Sequence, residues 1–186
     1  MHLLQPEAEI HLNRLQKNFS YLQSLIGNAK MMAVIKSDAY GHGITEIAKS
    51  LYKAGTYGFC VALHSEVMAL IQANITNPIL HLGKISSDSL DIYKNGQVRC
   101  SINTVHDIEI LKRYSIKNNI CITAHLKIDT GMGRLGIKYE DSTFVLDLLS
   151  KAKYINLEGV YSHFATAEEE NTEYRDWQLK RFKDLS

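Results

Sequence analysis

Short apolar runs alternate with amphipathic, helix-length stretches along the whole chain, and this alternation constrains the fold more than any other feature. MMAVIKS (31–37), YGFCVAL (57–63), NPILHLG (77–83), VRCSI (98–102), CITAHLKID (121–129) and LEGVYSHFA (157–165) have strand length and the near-continuous apolarity of strands covered on both faces. Leu12, Leu15, Phe19, Leu22 and Ile26 recur at helical spacing before Gly27. Ile47, Ala48, Leu51 and Tyr52 share a second helical face that ends at Gly55. Further helices are expected at about 65–74, 87–95, 104–117 and 139–153, and the tail EYRDWQLKRFKDLS reads as another. Strands joined through helices must pair in parallel by right-handed crossovers, so the class is α/β. An open doubly wound sheet and a (β/α)8 barrel both accept the pattern. The charged tail reads as a helix in progress, and six strands in 186 residues fall short of the eight in about 250 that a barrel takes. The expectation is therefore one domain over 1–186, a TIM-type barrel incomplete at about six of eight strands.

Composition removes several classes of function. Apolar residues make up 45% of the chain, enough for a sizeable core and too many for a disordered segment. The 21 basic and 20 acidic residues are spread through the sequence and leave a net charge of +1, so no footprint for nucleic acid or an anionic membrane is present. Small molecules or other protein chains are the expected partners. Cys60, Cys100 and Cys121 are odd in number and embedded in apolar runs, which reads as buried, reduced thiols and a cytosolic location. The opening MHLLQPEAEI has neither a charged leader region nor a long apolar core, so no signal peptide or membrane span is expected. His81, His106 and His125 lack metal-ligand spacing, and no H-E-x-x-H or C-x-x-C occurs, so no metal is expected; His81 and His125 read as packed or hydrogen-bonded strand residues.

Gly131, Gly133 and Gly136 have the G-x-G-x-x-G spacing of a dinucleotide-binding turn, but the context is wrong. Such a turn directly follows an apolar strand, whereas Asp129 and Thr130 intervene here and Lys127 interrupts the run. The acid due about twenty residues later would be Glu158, which is expected to precede its strand rather than end it.

In parallel α/β folds ligands lie beyond the carboxyl ends of the strands. Polar residues at those ends are Lys36, His81, Lys127, Asp129 and His163. A lysine after Ala33, Val34 and Ile35 sits where an ammonium is expensive, and desolvation there favours the neutral amine that a Schiff-base lysine needs. A head that snorkels into solvent is the bland alternative, and position alone does not separate the two. The loop SDAYGHG follows, where backbone amides and the Tyr40 hydroxyl are candidates to meet a phosphate; a tight turn with Tyr40 packed on it fits the same spacing.

AVIKSDAYGHG resembles the cofactor-lysine segment of the bacterial alanine racemases, HLKIDTGMGRLGI resembles a second signature of that family, and YSHFATAEE a third. They occur in the family's order behind a family-like opening, EAEIHLNRLQKNFSYL, so the resemblance covers essentially the whole chain. It implies a (β/α)8 barrel followed by a β-rich C-terminal domain, a homodimer, pyridoxal 5′-phosphate (PLP) as cofactor, and interconversion of L- and D-alanine, supplying D-alanine for peptidoglycan. It implies that Lys36 carries the PLP as a Schiff base and serves as base on one face of the substrate. Tyr40 then contacts the phosphate, and Arg134 bonds the PLP phenolic oxygen and the substrate carboxylate, which suits its forked, permanent charge. Lys127 matches a lysine often carbamylated, and His163 a histidine behind the cofactor ring. Without the resemblance, Arg134 reads as a solvated turn residue, His163 as a core histidine and Lys127 as a partner of Asp129. The family's second acid/base, a tyrosine of the C-terminal domain, matches no residue up to Ser186, so the fragment alone is expected to be inactive. Ile71 and Asn74 stand where the family commonly has arginine and glycine, and Ser37 where it has alanine. A non-catalytic PLP-carrying barrel, or a racemase or decarboxylase of another amino acid, are the alternatives.

Overall fold

The computed structural model describes residues 7–185, so Pro6 and most of the opening segment read above lie outside the described residues. Strands and helices alternate as expected, and the chain divides into two compact units, Met1–Ile79 and Leu80–Ser186.

In the first unit, α1 (Leu12–Leu25) is tied to α3 (Ile44–Lys53) by the Gln16 amide, which donates to the Ser50 carbonyl at 3.2 Å and its hydroxyl at 3.1 Å. Phe19 is the buried residue of α1, while Leu22 and Ile26, expected on the same covered face, are exposed. Strand β1 (Met32–Val34) pairs in parallel with β2 (Gly58–Val61), Ala33 opposite Phe59, and all four residues of β2 are buried. Ile44, Ile47, Ala48 and Leu51 of α3 are buried; Tyr52, the next residue, is exposed, its hydroxyl 3.3 Å from that of Thr76. Helix α4 (His64–Gln72) ends before Asn74, which adopts φ 58°. Asparagine is among the few side chains that tolerate this left-handed position, so it costs little where the resemblance implies a glycine.

Strand β3 (Ile79–His81) runs across the division, and the stretch expected as a helix at 87–95 is instead a 3-10 turn, Ser87–Tyr93. It places the buried Tyr93 hydroxyl 2.7 Å from Nδ1 of buried His81, the hydrogen-bonded role expected of that histidine. The centre of the second unit is β5 (Ile122–Asp129), which pairs in parallel with β4 (Val98–Ile102) and with β7 (Ile155–Tyr161), the latter across an irregularity at Ala124/His125. A two-residue strand not foreseen in the sequence, β6 (Ile137–Lys138), pairs with Ile128 and Asp129. Helix α5 (Val105–Asn118) starts at Thr104, whose hydroxyl accepts from the Asp107 amide while the Asp107 carboxylate accepts from Asn103 and Thr104 N–H, each at 2.9 Å. The stretch at 139–153 divides into a 3-10 turn (Tyr139–Asp141) and α6 (Ser142–Ser150), and the tail forms α7 (Glu173–Lys183).

Two expectations need correction. Cys60 and Cys100 are buried, and burial pushes the Cys60 thiol up to about 12 and Cys100 further, so both stay as inert thiols. Cys121, however, is exposed: it precedes the first residue of β5, and strand alternation turns Ile122 inward and Cys121 out. Glu158 lies within β7, which begins two residues earlier than expected, at Ile155. Its carboxylate accepts from Arg99 Nε (2.8 Å) and Nη2 (3.0 Å) and lies 2.9 Å from His125 Nε2, joining strands β4, β5 and β7.

Hydrogen bonds from Arg99, with help from His125 and against the opposing effect of burial, hold the Glu158 carboxyl at about 2, below its ordinary 4.5. A depressed carboxyl adds stability that is complete above its unfolded-state value and lost as pH falls through its folded one. Glu158→Gln is therefore expected to lower stability by about 1–2 kcal/mol near neutral pH, after discounting for the part of the side chain that meets water. Thermal melts should show the gap between wild type and variant closing as pH falls from about 4.5 toward about 2.

Candidate functional site

Lys36 stands two residues beyond the end of β1 and opens a single helical turn, α2 (Lys36–Gly41), that is wound the wrong way. Ser37, Asp38, Ala39 and Tyr40 have φ between 53° and 56° and ψ between 39° and 50°, the left-handed helical region. For side chains other than glycine this conformation costs on the order of 1–2 kcal/mol per residue. Four consecutive cases must be held by the surroundings.

The restraints are visible. Glu66, buried in the first turn of α4, accepts from Ser37 N–H at 2.5 Å with Oε1 and from Ala62 and Leu63 N–H at 2.9 and 3.0 Å with Oε2. Asp38 Oδ1 accepts from Ile44 N–H, the first amide of α3, at 2.7 Å. Ala39 is buried, His42 N–H donates to Ala39 O, and Gly43 N–H to Asp38 O. The amides of Ser37, Ala39, His42 and Gly43 in SDAYGHG, and that of Ile44 next to it, thus have partners within the chain and are not the ones left to meet a phosphate. Tyr40 is not packed either: it is 59% exposed. Lys36 is half-buried, and neither its ammonium nor the Tyr40 hydroxyl makes an ion pair or hydrogen bond among the described residues.

In the second unit GMGRLG follows the end of β5 and leads into β6 rather than into a helix, so the dinucleotide reading fails on the structural context as it does on the sequence context, although the spacing matches. The turn is built around Asp129, whose carboxylate accepts from Gly131 N–H (2.9 Å) and Gly133 N–H (2.9 Å to Oδ2, 3.1 Å to Oδ1). Burial would raise the Asp129 carboxyl, but bonds from Gly133, Gly131 and Met132 amides, with the Lys127 ammonium nearby, win and hold it low. Gly136, at φ 116°, brings the returning chain so close to β5 that a Cβ would stand 3.0 Å from Lys127 O and 3.1 Å from Lys127 Cγ. Lys127 itself is buried. Arg134 projects from this turn, exposed, with no ion pair or hydrogen bond of its guanidinium among the described residues.

His163 lies two residues beyond β7, exposed at the rim of a cavity of about 240 Å³ lined by Thr130, Ser162, Phe164, Gln178, Leu179 and Phe182. The loop bearing His163 and the turn bearing Arg134 meet through Thr130, whose hydroxyl is 2.8 Å from that of Ser162. Lys36 and Tyr40 therefore share one turn in the first unit, and Lys127, Arg134 and His163 gather in the second. Sequence reasoning missed Glu66 and Gln178 and gave Asp129 only its strand-end position and a pairing with Lys127; of the three, Asp129, next to three glycines, left a signal. Among the described residues no cluster of His, Cys, Asp or Glu fits a metal ion, and no helix is long and apolar enough to cross a membrane.

With the fold and these turns in view, comparison with known proteins places the chain. The sequence model described as "Alanine racemase, N-terminal domain" matches residues 10–186, and the chain belongs to this family. The alanine racemase of Halothermothrix orenii is 34% identical over 179 residues, covering 96% of this chain and 47% of that protein. The solved alanine racemase of Clostridium difficile 630 superimposes with a TM-score of 0.87 at 32% identity, over 94% of this chain and 49% of that one. A histidine racemase from Leuconostoc mesenteroides shares the fold, with a TM-score of 0.86 at 24% identity. The chain thus has the α/β architecture of the racemase N-terminal barrel and spans about half the length of the relatives it matches.

The Glu66 carboxylate is expected to be what keeps the left-handed turn wound. In Glu66→Gln one oxygen becomes a donor facing an amide, a loss of about 1–3 kcal/mol. Urea unfolding should show it, and hydrogen exchange should rise first in residues 36–41; unchanged exchange there would assign Glu66 to capping α4 alone.

Proposed function

We propose that the chain is the lysine-bearing barrel portion of a PLP-dependent alanine racemase, in the full protein a cytoplasmic homodimer that supplies D-alanine for peptidoglycan. The observation that supports this most is Lys36: a half-buried primary amine without an ion-pair partner among the described residues, opening a strained turn that the chain stabilises with two carboxylates. The donor set fits PLP, with an amine for its aldehyde, the Tyr40 phenol for its phosphate and the Arg134 guanidinium for its phenolic oxygen. When bound, PLP supplies an electron sink that makes the Cα proton of an amino acid removable.

Within that reading Lys36 holds the cofactor, and its amine removes or delivers the proton on one face of Cα, while the opposite face is served by a second acid/base, the tyrosine that the resemblance implies in the C-terminal domain. Arg134 orients the substrate carboxylate, and the Asp129-built turn fixes where that guanidinium points. His163 supports the group behind the ring. Lys127, buried against Gly136, is carbamylated in this reading, which makes it an anion that orients Arg134. Alanine as substrate rests on the names of the relatives above 30% identity; the histidine racemase, on the same fold, acts on a different side chain by its name.

The test uses cofactor capture. PLP is added to the 186-residue chain, the adduct is fixed with borohydride, and the labelled peptide is located by mass spectrometry. The label should sit on Lys36 near one per chain and vanish in Lys36→Ala and Lys36→Arg. Label scattered over surface lysines, or undiminished in Lys36→Ala, would overturn the assignment.

A further inference from the structure

We propose that Gln178 is a positioning residue that locks the Arg134 turn and the His163 loop into one geometry; this rests on the reading above for what those two side chains do. Gln178 lies on α7 and is 0% exposed. Its Oε1 accepts from Ala165 N–H at 2.9 Å, and its Nε2 donates to the His163 carbonyl at 3.2 Å and to Thr130 Oγ1 at 3.3 Å. The amide therefore spends its acceptor and its donors on two segments that the sequence separates by some thirty residues. One of them leads straight into Gly131–Arg134, and the other contains His163.

A helix that needed only anchoring would place leucine or methionine here, since a buried amide is costly unless every bond is made. The neighbours on the same helical face do related work. Tyr174 donates to Gly131 O at 2.7 Å, and Arg181 donates to Thr130 O at 3.3 Å and to Glu140. The Arg181 guanidinium is stacked between the Tyr139 ring at 4.3 Å and the Trp177 ring at 4.4 Å. Gly131 has no room for a side chain: a Cβ there would meet the Trp177 ring at 2.6 Å and the Tyr174 hydroxyl at 2.8 Å. Residues 174, 178 and 181 thus pin the root of the Arg134 turn, and Gln178 also grips the His163 loop.

Gln178→Glu separates positioning from packing, because its shape is that of glutamine while its donor is present only when protonated. Burial keeps that carboxyl protonated at higher pH than usual, so acidification restores the donor. PLP affinity and hydrogen exchange of residues 129–136 and 160–166 are measured for wild type, Gln178→Glu and Gln178→Leu from pH 8 to 5, each variant read against wild type at the same pH. The expected result is PLP binding weaker by about tenfold or more and faster exchange in both segments for both variants near pH 8, since one lost hydrogen bond is worth about tenfold and each variant loses more than one. Exchange in residues 32–41 should be unchanged. Gln178→Glu alone should return toward wild type as pH falls. Wild-type exchange in both segments of Gln178→Glu near pH 8, or a defect in it that acid does not relieve, overturns the proposal, and this variant decides even if Gln178→Leu fails to fold. Failure of wild type to capture PLP at Lys36 would sink the functional reading separately and leave the exchange result standing as a statement about the two loops.

Discussion

Parallel strands end in backbone amides that no neighbouring strand can take, and buried amides without partners are costly. In this chain side-chain carboxylates take them. Glu66 accepts from Ala62, Leu63 and Ser37, Asp107 from Asn103 and Thr104, Asp38 from Ile44, and Asp129 from Gly131 and Gly133. Glu66 and Asp107 stand at the same place, three residues after a helix cap, and each carboxylate accepts from the cap N–H and from the N–H before it. The difference is that Glu66 reaches one amide further, to the residue after Lys36. A device that elsewhere only starts a helix there also shapes the candidate site.

The second unit solves the same problem from both ends of the polarity scale. The Arg134 turn is held on its inner side by a carboxylate and on its outer side by the amide, phenol and guanidinium of α7. The turn needs both, since its glycines permit close approach but supply no restoring force of their own.

Much of the architecture was legible in the residues. Strand β4 occupies Val98–Ile102 as its apolar run indicates, β5 begins one residue later than read, and Lys36, Lys127 and Asp129 fall at or just beyond strand ends. What was hidden shares a physical cause. Apolar spacing reports which residues face the core and is blind to the sign of φ, so the winding of Ser37–Tyr40 left no trace. Glu66 in a first helical turn reads as a response to the helix dipole, because the amide it reaches belongs to a residue 29 positions earlier. Gln178 sits in a helix so rich in charge that it reads as solvated, and its burial comes from partners as far as 48 residues away. Cys121 was misread because an apolar run does not say where the first inward residue of its strand falls.

The four left-handed residues after Lys36 include no glycine, although glycine is the residue for which that conformation is free. Three of their side chains have identifiable work: Asp38 takes the first amide of α3, Ala39 fills buried space, and Tyr40 presents its phenol. The segment is thus an instance of stability traded for chemical content. A sequence optimiser scoring folding alone would write glycines here and erase the phenol that the turn presents, so under the proposed function thermostabilising design and activity pull in opposite directions at this turn.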